Sequence, residues 1–205
     1  MNEDLTKYFL YLNLISEKIA NFFENQKEYI FCHKGCAKCC KNAQFPYKKI
    51  EFEFLLEGLK TLDKSIQEEI IQKAKTVIEA KNEAKDEKFV YDCPFLINDV
   101  CSVYNFRGVI CRSFGLMFFR NEQPPGIPFC IFEGLNYSNV LDKETGLMTP
   151  KLYKERNLKE EPMAFNVSHS FLTDEDFATG FGFKFGETKF MIEWFEEYLK
   201  ETENT

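Results

Sequence analysis

The sequence predicts a mostly helical α+β fold: a single domain, residues 1–205, with a cysteine-rich region under an N-terminal helical layer. Three observations carry that expectation. Apolar residues recur at steps of three and four through the first part of the chain and again near its end. Between them, residues 89–135 carry short apolar runs broken by Pro and Gly instead of helical periodicity. Eight cysteines fall mostly into two blocks, and 23 phenylalanines predict an aromatic core. A chain of 205 residues buries roughly 70% of its unfolded surface, so it needs no disulfide staples.

Taken in order, Leu5, Tyr8, Phe9, Leu12, Ile15, Ile19, Phe22 and Phe23 predict an amphipathic helix over about residues 3 to 27, with Glu3 and Lys7 as an i,i+4 pair. A cysteine-rich loop follows, closed by Pro46. Phe52, Leu55, Leu56, Leu59 and Leu62 continue with helical spacing, and Ser65-Ile66-Gln67-Glu68 reads as a capping box opening a third helix. Lys81 to Lys88 is nearly all charged or Ala, which predicts a solvated, fraying helix end. Pro124-Pro125-Gly126 and Pro128 predict a tight non-helical connection. Residues 136 to 163 are polar and predict a surface loop with one helical turn. Gly180, Gly182 and Gly186 lie in a Gly- and Phe-rich hairpin or turn, not a dinucleotide fingerprint, because no acidic residue follows at the required distance. A final helix is expected over about 187 to 200.

Net charge is −7, which excludes sequence-independent nucleic-acid binding, since phosphates demand a basic face. The opening Met1-Asn2-Glu3-Asp4 is acidic where a secretory signal is basic, and no apolar stretch approaches the ~18 residues of a membrane span. The expectation is a cytoplasmic protein without a membrane segment, where thiols stay reduced. Cysteines there are read as metal ligands or reactive groups.

The first block is Cys32-His33-Lys34-Gly35-Cys36-Ala37-Lys38-Cys39-Cys40. The second comprises Cys93-Pro94-Phe95-Leu96, Cys101-Ser102-Val103-Tyr104 and Cys111-Arg112-Ser113-Phe114-Gly115, with Cys130 beyond it. Packing alone has no need of four cysteines within nine residues. Thiolates are soft donors and select zinc or iron–sulfur over magnesium or calcium. Zinc takes four thiolates in a closed tetrahedron, and a [4Fe–4S] cluster takes four in an apolar shell. The expected ligands are Cys36, Cys39, Cys40, Cys93, Cys101 and Cys111, with Cys32 and Cys130 as additional ones. Adjacent Cys39 and Cys40 share one centre only if the backbone kinks; otherwise they face two. Phe31, Phe95, Phe106 and Phe114 are the expected aromatic shell. Arg107 and Arg112 would offset thiolate charge, Arg112 by donating toward sulfur. His33 is an alternative ligand, and His169, with no partner nearby in sequence, reads as structural. The Cys32-x3-Cys36-x2-Cys39 spacing also fits a radical S-adenosylmethionine loop, but the flanks are helical instead of β/α.

The end of the first block, followed by Cys93-Pro94-Phe95-Leu96, Cys101-Ser102-Val103-Tyr104, Arg107 and Cys111-Arg112-Ser113-Phe114-Gly115, resembles the CxxCxxCC family, also called the YkgJ-type cysteine cluster family. The resemblance covers about residues 31 to 131, the expected metal-binding core. It implies a cytoplasmic bacterial protein that binds zinc or an iron–sulfur cluster. Flagellin lysine methylases look similar in the same block. Two departures stand out: the first spacing is three residues where the family has two, and Gly108 stands where the family has proline, which suggests a looser turn before Cys111. Three readings follow. The first is a metal-binding protein in redox or metal handling, the second a lysine-N-methylase-like enzyme using S-adenosylmethionine, and the third a structural zinc module presenting a surface to a protein partner.

Overall fold

The computed structural model describes residues 2–84, 89–148 and 150–203. Helix α1 spans Glu3–Asn25, and the Asn2 side chain caps it by accepting from the Leu5 amide at 2.9 Å. Its buried stripe is Leu5, Tyr8, Tyr11, Leu12, Ile15 and Ile19, and Lys7 pairs with Glu3 at 2.6 Å, as the periodicity predicts. The helix ends two residues short of expectation because the chain tightens into a 3-10 turn, Lys27–Tyr29, that buries Tyr29. After the cysteine loop, strand β1 (Pro46–Lys48) leads into α2 (Lys49–Lys60), and α3 follows at Lys64–Glu83. The Ser65 capping box does not form. The Asp63 carbonyl accepts from the amides of both Ile66 and Gln67, so the helix opens two residues earlier and Ser65 lies inside it. The charged stretch beyond Ala84, 85–88, lies outside the described residues.

The middle of the chain is built from short pieces. Strands β2 (Leu96–Ile97) and β3 (Val100–Cys101) form a hairpin closed by Asn98 and Asp99, both at positive φ, the backbone a two-residue type I′ turn demands. Helix α4 is a single short element, Val109–Ser113. Strands β4 (Phe118–Arg120) and β5 (Gln123–Gly126) pair antiparallel, so the Pro-Pro-Gly segment is an edge strand where a connection was expected. The 136–163 segment contains the 3-10 turn Ser138–Val140 and α5 (Pro150–Glu155), but it is not all surface: Asn136, Tyr137 and Val140 are fully buried. Helices α6 (His169–Leu172) and α7 (Glu175–Phe181) follow. Of the expected Gly–Phe hairpin or turn it is the turn that forms: Gly180 lies in α7, and Gly182 at φ 78° ends that helix as a left-handed C-cap. Residues 188–190 are not helical. Thr188–Phe190 is strand β6, pairing antiparallel with β1, and α8 begins only at Met191 and runs to Glu203.

The fold is therefore mostly helical α+β with three two-stranded sheets among the described residues. One core gathers α1, α2 and α7, with Tyr8 packed edge-on against Phe54, Phe183 and Phe185. A second gathers α2, α3 and α8 around Phe52, Phe95, Trp194 and Phe195. Phe106 touches both cores, and the cysteine blocks lie along the second. No described helix is long and apolar enough to cross a membrane.

Candidate metal centre

Two stretches of chain, far apart in sequence, face each other across a cavity of about 710 Å³ lined by Cys32, Cys36, Cys39, Cys40, Cys93, Cys101 and Cys111. Backbone pairing brings them together. Ala43 and Tyr91 form an antiparallel bridge, and the Cys93 amide donates to the Cys40 carbonyl at 2.8 Å. Cys130 is buried behind this cavity without lining it, although it lies close enough to Cys36 and Cys39 to feel their charge.

The first wall, residues 31–42, has almost no regular structure. Gly35 sits at φ 87°, a left-handed value that lets the loop reverse between Cys32 and Cys36. Its root is held by Asn136, whose Oδ1 accepts from the amides of Phe31 and Cys32, both at 2.9 Å, while its Nδ2 donates to the Gly115 carbonyl. Farther along, the loop is exposed or half-buried. Cys39 and Cys40 turn toward each other with Sγ atoms 4.0 Å apart, and both face the same cavity, as the kinked backbone requires.

The second wall is braced. Ser102 donates to the Phe95 carbonyl through both its amide and its hydroxyl, fixing the hairpin between Cys93 and Cys101. Cys111 lies on α4, and the start of that helix is gripped by α2. The fully buried Glu51 carboxylate accepts from the Val109 amide at 2.7 Å and the Lys48 amide at 2.8 Å, with His169 Nε2 at 2.7 Å. Tyr47, itself buried, accepts from the Gly108 amide at 3.3 Å and lies 3.2 Å from Cys111 Sγ. His169 is therefore structural, as read, but its partner lies more than a hundred residues away. Gly108 does not mark a looser turn: its φ of −68° is one proline also adopts. A Cβ there would lie 2.8 Å from the Tyr47 ring and 2.9 Å from Glu51, and a proline would lack the N–H that Tyr47 accepts.

Electrostatically the cavity resists ionisation. Burial pushes the Cys111 thiol up to about 12, and raises Cys93 and Cys101. Cys39 runs the other way, down to about 7, because Cys40 donates to it and the Arg107 charge is near; Cys40 is raised as the donor. The charge of Cys39 raises Cys93, Cys101 and Cys111 further, and Cys101 also raises Cys93 and Cys111. A set of desolvated, mutually repelling thiols ionises together only when a cation enters among them. The donor chemistry thus fits a thiophilic metal. Among the described residues, however, no three Cys, His, Asp or Glu side chains stand close enough to hold an ion without rearrangement.

The arginines differ from expectation. Arg112 lines the cavity but donates to the carbonyls of Arg107 and Asn105 and to Ser16 Oγ, not to sulfur; these acceptors hold its guanidinium in the turn before α4. Arg107, stacked 3.5 Å over the Tyr104 ring and donating to the Cys111 carbonyl, is the cation that helps to lower Cys39 and offsets part of the rise at Cys101 and Cys111. The aromatic shell is also regrouped. Phe95 and Phe114 line the cavity together with Phe23, Phe45, Tyr47 and Tyr104, whereas Phe106 is committed to Phe54 and the close approach at Gly58, and Phe31 is 43% exposed. His33 also lines the cavity. Tyr47, Glu51 and Asn136 were not legible as site residues, because each acts through a contact distant in sequence.

The fold and the cavity together define a cysteine-lined α+β protein with soft donors drawn from two separated blocks. Residues 31–127 match the CxxCxxCC family model, a putative zinc- or iron-chelating domain. The matched segment holds the seven cavity cysteines and ends before Cys130. No curated protein and no solved structure matches the chain.

Proposed function

We propose that this protein holds an iron–sulfur cluster of the [4Fe–4S] type through Cys39, Cys93, Cys101 and Cys111, and serves redox or metal handling in the cytoplasm. In this reading the chain is one domain, residues 1–205, with its metal-binding core at 31–131. Cys36 and Cys40 are the nearest alternative ligands, and Cys32 and Cys130 form an outer group.

The observation that supports this is the single cavity on which both cysteine blocks meet. A lone zinc ion closed by four thiolates is enveloped by its own sulfurs and calls for little further space. A cavity of about 710 Å³ with Phe23, Phe45, Phe95 and Phe114 in its lining suits a larger, apolar-shelled group. Four thiolates around such a group leave surplus negative charge, and Arg107 and Arg112 stand beside it without a carboxylate partner among the described residues. When bound, the cluster would supply one-electron chemistry, with its potential set by these cations, by hydrogen bonds to sulfur and by exclusion of water.

Purification without oxygen from iron-replete cells, followed by iron, zinc and sulfide analysis and a visible spectrum, tests the reading. Four irons and four sulfides per chain with a brown band near ~400 nm are expected. Stoichiometric zinc without iron or sulfide would replace the cluster by a zinc site, and absence of any metal would remove the reading altogether.

A further inference from the structure

Among the described residues, Tyr47 is the one hydroxyl-bearing side chain in hydrogen-bond contact with a cavity sulfur. Its Oη accepts from the Gly108 amide, so its own proton is free to point at Cys111 Sγ, 3.2 Å away. The ring is buried and cannot turn aside. It is packed against Gly108 so closely that no Cβ fits between them, and the Trp194 indole holds its backbone through the Tyr47 carbonyl at 2.9 Å. Four residues along, Glu51 grips the next amide of the same turn, accepting from Val109, and His169 holds Glu51 in turn. The amides of Gly108 and Val109 and the sulfur of Cys111 are thus fixed to one turn of α2 and the strand before it.

We propose that Tyr47 is a positioning residue for the metal site. It donates a hydrogen bond to the Cys111 thiolate and fixes that sulfur's direction, while Glu51 and His169 hold the helix that presents it. The inference rests on Cys111 being a metal ligand, and it adds the device that orients one ligand before metal arrives. A thiolate that accepts a hydrogen bond gives up some electron density to the donor. Removing the donor therefore changes both the affinity of the site and the energy of its sulfur-to-metal transitions. Gly108 belongs to the same device, since only a residue with an N–H and no Cβ lets Tyr47 approach this closely.

Cobalt(II) alone is the probe, titrated into the full chain freed of metal, with affinity read by competition against a chromophoric chelator and the thiolate-to-cobalt band read in the near ultraviolet. Tyr47→Phe removes one oxygen and leaves the ring, so the far-ultraviolet circular dichroism should match the parent. Cobalt affinity should fall roughly tenfold or more, the scale of lost outer partners, and the charge-transfer band should shift. A double-mutant cycle with Cys111→Ser separates this from general loosening: once the sulfur is gone, Tyr47→Phe should have no further effect on cobalt affinity. Should Tyr47→Phe lose its dichroism, the cycle is closed with Glu51→Gln in its place, which keeps an acceptor for Val109. Unchanged affinity and band in Tyr47→Phe, or effects that simply add in the cycle, overturn the proposal while leaving the metal reading intact. No cobalt binding by the parent chain overturns this proposal, and the cluster reading then stands or falls on the iron and sulfide analysis.

Discussion

The two walls of the cysteine cavity are made differently. The wall carrying Cys93, Cys101 and Cys111 is fastened at several points: a hairpin closed by Asn98 and Asp99, a serine tied twice to Phe95, and a helix start gripped by Tyr47 and Glu51. The wall carrying Cys32, Cys36, Cys39 and Cys40 is a loop of turns, held at its root by Asn136 and at its end by the Ala43–Tyr91 bridge. One side is a preformed jaw and the other an adjustable one. This explains how seven thiols can line a single cavity while no three of them yet converge on a point. Holding four thiolates at bonding distance without a cation would cost Coulomb energy in a desolvated site. Leaving one jaw free defers that cost until the metal arrives.

The largest expected effect follows directly. Cys111→Ser removes a ligand from the fixed jaw and should lower metal affinity by more than the roughly 10–100-fold typical of an outer partner. Cys39→Ser should do the same, as the central sulfur of the free jaw. Cys32→Ser, at the exposed root of the loop, should cost much less. Metal titrations of the three variants rank them, and equal losses for Cys32 and Cys111 would erase the distinction between inner and outer thiols.

Next in size is the response to metal removal. Stripping the metal with a chelator should expose the amides of residues 31–42 to hydrogen exchange. Those of 95–103 and 109–113 should stay protected, together with α1 and α3. Exchange mass spectrometry resolves the two stretches. Equal deprotection of both walls would show that the fixed jaw depends on metal as much as the loop does.

The same asymmetry governs what could be read in the sequence. The helices α1, α2 and α3 announce themselves because each buries one stripe at regular spacing, so Leu5, Leu12 and Ile19, or Leu55 and Leu59, mark their elements unaided. The cysteines announce themselves by repetition. What stayed hidden are residues whose meaning lies in a distant contact. Glu51 looks like a surface carboxylate in a helix rich in Glu and Lys until Val109 and His169 arrive beside it. Asn136 looks like part of a polar loop until the Phe31 and Cys32 amides meet it. The start of the last helix is hidden for a similar reason: Thr188–Phe190 runs into α8 without a break in the sequence but is pulled into an extended strand by pairing with β1.

Smaller effects test the fastenings one at a time. Asn136→Ala would strand two amides at the root of the loop and the Gly115 carbonyl, costing about 1–3 kcal/mol in denaturant unfolding of the metal-free chain. Gly108→Ala would place a methyl group 2.8 Å from the rigid Tyr47 ring, costing about 1–3 kcal/mol by overpacking. The two losses should differ in kind. Asn136→Ala should free the 31–42 loop to exchange and leave α4 protected, and Gly108→Ala should do the reverse. If each variant loosens both walls, the jaws are one cooperative unit, and the comparison fails.

The smallest effect has the opposite sign. Behind the fixed jaw, Tyr8 is fully buried in the aromatic cluster of Phe54, Phe183 and Phe185, yet its hydroxyl has no hydrogen-bond partner among the described residues. The neighbouring Glu51 carboxylate already holds two amides and a histidine, and Arg112 donates to two carbonyls and to Ser16, so neither turns to Tyr8. Burial and the Glu51 charge push its ionisation well above the ordinary tyrosine value, so the group is a neutral hydroxyl stripped of water. An unmet buried hydroxyl costs about 1–3 kcal/mol, and deleting it forfeits only the packing of one oxygen. Tyr8→Phe should therefore stabilise the chain by about 1 kcal/mol in urea unfolding, with metal affinity unchanged. The ring contacts survive the substitution, so a loss of stability would mean that the hydroxyl has a partner, and that the fixed jaw draws a further fastening from α1.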